Sequence, residues 1–176
     1  MDQRNMRFVP HAVAIQVGTI VDFPNSDRLA HNVFSISKTK RFNLGLYPAG
    51  HTRSLRFDKP GVVEVLCDVH LEMSAYIVVL ENPYFAVTET DGKFEIQDVP
   101  VGSRTVWFWS EKGRREKKDV SVQADRTVIA NFLDRQRSFL WRPQPSTNHT
   151  GKAETARLAM TNNSDGLRMP DGAKDD

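Results

Sequence analysis

Cysteine is nearly absent: Cys67 is the single one in 176 residues. A lone thiol excludes a disulfide framework, a four-cysteine zinc site and an iron–sulfur cluster held within one chain. Long apolar runs are absent too. None approaches the roughly 20 residues that span a bilayer. No charge sign dominates either, with 24 Lys and Arg against 22 Asp and Glu and a formal net charge of +2. That balance argues against a nucleic-acid partner, which calls for a one-sided basic excess. Aromatic residues are missing beyond Trp141, so the chain after it has little with which to pack. The opening stretch, MDQRNMRFVP, lacks the apolar segment of an export signal.

What is present is a β pattern. A prior of about 150 residues per domain allows one or two small domains. Over residues 1–81, short runs rich in Val, Ile and Phe alternate with turn residues, as in a sandwich. Ala12–Phe23 carries strands on either side of Gly18, and Pro24–Asn25–Ser26–Asp27 is turn chemistry. Asn32–Ile36, Thr52–Phe57, Val62–Cys67 and Tyr76–Leu80 read as further strands, and Met6 as a strand residue. Residues 82–134 repeat the pattern, with strands expected at Phe85–Thr88, Lys93–Gln97, Thr105–Trp109, Lys118–Val122 and Thr127–Phe132. Asp91–Gly92 is a hairpin signal. Residues 135–176 are rich in Pro, Ser, Asn, Gly and Asp and read as a disordered tail.

The segment that carries chemistry is Cys67–Asp68–Val69–His70–Leu71–Glu72–Met73. A thiolate, an imidazole and a thioether fall within seven residues directly after an alternating strand. His31 opens another short strand upstream. Two His and one Cys, with a weak axial Met, form the donor set of a blue-copper electron-transfer site. Taken singly, Cys67 would be a small buried hydrophobe, His70 a surface or core histidine and Met73 core filler. Their joint spacing is what points to copper; a decayed site or another metal stays open on the residues alone. His11, His51 and His149 fit no ligand position.

These residues, with Val17–Gly18–x–x–Val21–x–Phe23–x–Asn25, His31–Asn32–Val33 and Pro60–Gly61–Val62–Val63, resemble the plastocyanin and amicyanin type of cupredoxin. The resemblance implies a Greek-key β-sandwich binding one type 1 copper ion through His31, Cys67, His70 and Met73. Asn32, just after the first ligand, would tie the ligand loops together. His70 would present its ring edge at an apolar surface patch, the route for electrons. Val69 and Leu71 stand where the amicyanin loop has prolines, and Asp68 and Glu72 add charge beside the site. A copper loop followed by Asn82–Pro83–Tyr84–Phe85 and an Asp-Gly hairpin resembles bacterial methylamine-utilisation and plastocyanin-like proteins. Their second unit is a transthyretin-like, carboxypeptidase-regulatory β-sandwich.

The function implied is a one-electron carrier, not an enzyme, cycling Cu(II) and Cu(I) between redox partner proteins. No His-Cys-His motif of a multicopper oxidase occurs, and a binuclear copper centre needs a second cysteine. The resemblance also implies a periplasmic or otherwise extracytoplasmic location. Two alternatives stand beside it: an extracytoplasmic module binding protein or glycan, and a copper storage or delivery protein.

Overall fold

The structure, a computed structural model, describes residues 1–89, 91–113 and 115–132, together with the backbone of 157–161. It is all-β, and no helix occurs among the described residues. One compact unit holds Met1–Pro83 and a second begins at Tyr84.

The first unit opens with a small hairpin, β1 (Asp2–Gln3) and β2 (Phe8–Val9). Its turn residues Asn5 and Met6 both have positive φ, 52° and 54°. Arg4 and Arg7 close it with reciprocal backbone hydrogen bonds. This primed turn geometry matches the twist of the flanking strands. Met6 is therefore a turn tip and not the strand residue expected.

Seven strands follow: β3 (Ala12–Gln16), β4 (Ile20–Pro24), β5 (His31–Ser35), β6 (Phe42–Tyr47), β7 (Thr52–Arg56), β8 (Gly61–Leu66) and β9 (Ser74–Leu80). Five of them form one sheet in the order β3-β9-β8-β5-β6, and β4 pairs with β7 in another. β3 runs parallel to β9, and the remaining pairs are antiparallel. Strand β6 escaped the sequence reading. Gly45 interrupts it at φ +74°, and the β5–β6 register shifts between Asn32 and Phe34.

The core follows from alternation. Side chains along a strand point to opposite faces, so every second residue of β8, Val63 and Val65, is buried. Ala75, Ile77 and Val79 of β9 join them, together with Val21, Phe23 and Phe57 among others. Cys67 and Met73 belong to the same core, so the loop that bears them starts and ends in packed apolar surroundings.

Among the described residues the second unit holds one four-stranded sheet, in the order β10-β13-β11-β12. Its strands are β10 (Phe85–Val87), β11 (Gly102–Trp109), β12 (Glu116–Val122) and β13 (Arg157–Thr161). The Asp91–Gly92 turn is present, with Lys93 N donating to Asp91 Oδ1. Two expected strands are not formed. Lys93–Gln97 and Thr127–Phe132 have no strand pairing, yet Phe94, Ile96 and Phe132 still pack against buried Val106 and Phe108. Their alternation records burial rather than strand pairing. Arg157–Thr161 lies in the stretch read as a disordered tail, and here it is a strand between β10 and β11. The rest of that stretch lies outside the described residues.

Candidate metal centre

His31, Cys67 and His70 converge at one end of the first sheet, and their ligand atoms all lie within 4.8 Å of one another. His31 is the first residue of β5 and is fully buried. Cys67 follows β8 and is 3% exposed, whereas His70 is only partly buried. The pairing of β5 with β8, at Phe34 and Leu66, holds the two donor-bearing ends side by side.

The loop between β8 and β9 is tied to itself. Cys67 N donates to Met73 O at 3.3 Å, and Met73 N donates to His70 O at 3.0 Å. These bonds curl the loop, so the spacing of two residues between each donor and the next returns the chain toward one centre. Met73 is 1% exposed.

The geometry suits a single small ion. His31 Nδ1 stands 3.0 Å from His70 Nδ1, and Cys67 Sγ stands 4.0 Å from that same His70 nitrogen. Metal–imidazole bonds are about 2 Å and metal–thiolate bonds about 2.3 Å, so one ion reaches all three atoms from between them. Two imidazoles and a thiolate match the soft, mixed donor set that copper prefers. Among the described residues this is the one cluster of three or more His, Cys, Asp or Glu side chains placed to hold an ion.

A second layer of contacts holds His31. Its Nε2 lies 3.1 Å from Asp27 Oδ2, a carboxylate that the sequence reading passed over as part of a turn. Both Asp27 oxygens accept backbone donors: Oδ2 from Met6 N at 2.7 Å and Oδ1 from Arg28 N at 2.8 Å. These two bonds hold its carboxyl below the usual carboxylate range, and the His31 ring adds to the effect. Asn25 anchors the turn. Its buried amide donates to Leu29 O and Tyr47 O, and its Oδ1 accepts from Asp27 N. Tyr47 sits directly across β6 from His31. Its hydroxyl donates to Phe23 O and accepts from Gln3 Nε2. The signal for Asp27 was an acidic residue four positions before the histidine, legible only once the turn was known.

The remaining residues singled out from the sequence lie as follows. Asn32 is buried, and its amide donates to Asn43 Oδ1 on β6 at 2.8 Å. His11 is exposed, with its ring edge-on to Tyr76. His51 is exposed and its Nδ1 lies 3.2 Å from Ala49 O. His149 lies outside the described residues. Val69 and Leu71, on either side of His70, are 52% and 85% exposed.

A family model for copper binding proteins, plastocyanin/azurin family, matches residues 1–80. Together with the fold and the His-Cys-His cluster, this makes the first unit a blue copper domain, a cupredoxin, whose cofactor is a single copper ion. Several solved structures are similar. A reduced amicyanin variant is 22% identical with a TM-score of 0.43, over 45% of this chain and 78% of that one. A purple cupredoxin from Nitrosopumilus maritimus is 29% identical with a TM-score of 0.38, over 40% and 79%. A copper-containing nitrite reductase from Thermus scotoductus SA-01 is 26% identical with a TM-score of 0.44. The match there covers 46% of this chain and 22% of the reductase. No curated protein matches the sequence.

Proposed function

We propose that the first unit is a one-electron carrier in which His31, Cys67, His70 and Met73 hold the copper ion. Bound copper supplies a reversible Cu(II)/Cu(I) couple: one electron arrives from a donor protein and leaves to an acceptor, and no bond to a substrate forms or breaks. The observation that carries the reading is the burial of His31 and Cys67 beside a partly exposed His70. Donors held on a packed strand and on a loop tied to itself by hydrogen bonds change position little between oxidation states, which favours fast electron exchange. His70, between exposed Val69 and Leu71, is the point where a partner's surface comes nearest the centre. Asp68 and Glu72 are exposed on the same loop, so a partner with an apolar contact and a basic rim fits this end.

Burial also weighs against storage or delivery, which call for an accessible, exchangeable site. The family resemblance supports a location outside the cytoplasm. Among the described residues no helix is long and apolar enough to cross a membrane. We read the unit beginning at Tyr84 as a carboxypeptidase-regulatory-like companion domain.

The test is spectroscopic. The Cu(II)-loaded chain is expected to show an intense visible thiolate-to-copper charge-transfer band and a reversible one-electron couple. Cys67→Ser, with its circular dichroism unchanged, is expected to lose the band. A colourless wild-type copper form would overturn the reading.

A further inference from the structure

We infer that Asp27 is the positioning residue of the copper centre, fixing which nitrogen of His31 faces the ion and setting the charge behind it. The inference rests on His31 being a ligand. Its foundation is a relay of two contacts. Asp27 Oδ2 lies 3.1 Å from His31 Nε2, so that nitrogen carries the proton and donates. The opposite nitrogen, Nδ1, is left with its lone pair and points at His70 Nδ1, 3.0 Å away. His31 is completely buried, whereas the Asp27 side chain keeps 13% exposure.

The carboxylate is itself held rather than free to turn. Met6 N and Arg28 N each donate to one of its oxygens, and Asp27 N donates to Asn25 Oδ1. Met6 reaches it from the tip of the β1–β2 hairpin, where positive φ at Asn5 and Met6 aims the amide at the carboxylate. A backbone in that region disfavours ordinary side chains, so the hairpin tip keeps an unfavourable conformation in which it makes this contact. Residues distant in sequence thus converge on one oxygen behind the ligand.

A carboxylate behind a metal-bound imidazole makes the ring a better donor, and removing such a partner typically lowers metal affinity about 10–100-fold. Negative charge there also favours the more highly charged ion, so Asp27 stabilises Cu(II) over Cu(I). The N-terminal hairpin then acts on the couple through Asp27.

The test uses the full chain. Nitrogen-15 NMR of the diamagnetic Cu(I) form is expected to show His31 protonated at Nε2, with that proton protected from exchange. Voltammetry of Asp27→Asn, which keeps the shape and removes the charge, is expected to shift the Cu(II)/Cu(I) affinity ratio about tenfold toward Cu(I). For one electron this is a rise of about 59 mV. Asp27→Glu is expected to recover part of that shift. Should Asp27→Asn fail to fold, the wild-type NMR measurement alone decides. A wild type that binds copper but leaves His31 unprotonated at Nε2, or an Asp27→Asn potential equal to wild type, overturns the role of Asp27. A wild type that takes up no copper overturns instead the ligand reading beneath it.

Discussion

The Nδ1 atoms of His31 and His70 face each other at 3.0 Å, with the rings inclined at 61°. His31 Nδ1 has no proton to offer when Nε2 donates to Asp27, so only a cation, or a proton on His70, satisfies it. A proton on His70 Nδ1 makes the contact a hydrogen bond in the metal-free chain, and copper would take that proton's place between the two rings.

Metal removal is accordingly expected to destabilise the first unit. Free Cu ion at 100 times its dissociation constant adds about 2.7 kcal/mol to a folded state that alone binds it. Thermal unfolding with and without copper measures this directly. In Cys67→Ser the gain is expected to shrink markedly. Equal melting temperatures for apo and loaded wild type would contradict the expectation.

Alkaline pH is expected to weaken the same region through Tyr47. Burial pushes its phenol up to about 12 from an ordinary 10, against the hydrogen bond from Gln3 and the charge of Arg53, which pull it down. The unfolded chain then loses this proton before the folded chain does. The sign is fixed: the contribution is complete below about pH 10 and declines as pH rises toward 12. Urea unfolding across that range, compared with Tyr47→Phe, isolates the effect. The variant is expected to lose this part of the slope. At neutral pH it is also expected to lose about 1–3 kcal/mol, because Phe23 O keeps no hydroxyl donor.

Gly61 is expected to resist substitution. It opens β8 at φ +135°, and an added Cβ would lie 2.6 Å from Thr39 Oγ1. Gly61→Ala is expected to cost about 1–3 kcal/mol, measured by urea unfolding. Thr39→Ala in the same chain should recover only part of it, since the backbone angle stays unfavourable. The visible spectrum should be unchanged, because Gly61 lies at the end of β8 remote from Cys67.

Local features were legible in the sequence and non-local ones were not. Cys67, His70 and Met73 announce themselves because their spacing is fixed within one loop. The strands around Ile15, Val63 and Ile77 show because alternation marks the buried face. Asp27 did not show, since its role depends on the Asn25 turn folding back and on Met6 arriving from a separate hairpin. Strand β6 was hidden by Gly45. At Phe94, Ile96 and Phe132 the pattern recorded burial correctly and strand pairing wrongly, because apolar alternation cannot distinguish a paired edge from a loop packed on Phe108.

The central place of β9, between β3 and β8, bears on the order of events during synthesis. The ribosome delivers His31 early and the Cys67 loop late, and the last strand must slot between two earlier ones before the sheet closes. Pairings between distant segments form slowly compared with local ones. A nascent chain halted before Leu80 would carry every donor atom and still lack the scaffold that gathers them, so copper capture belongs to the finished domain.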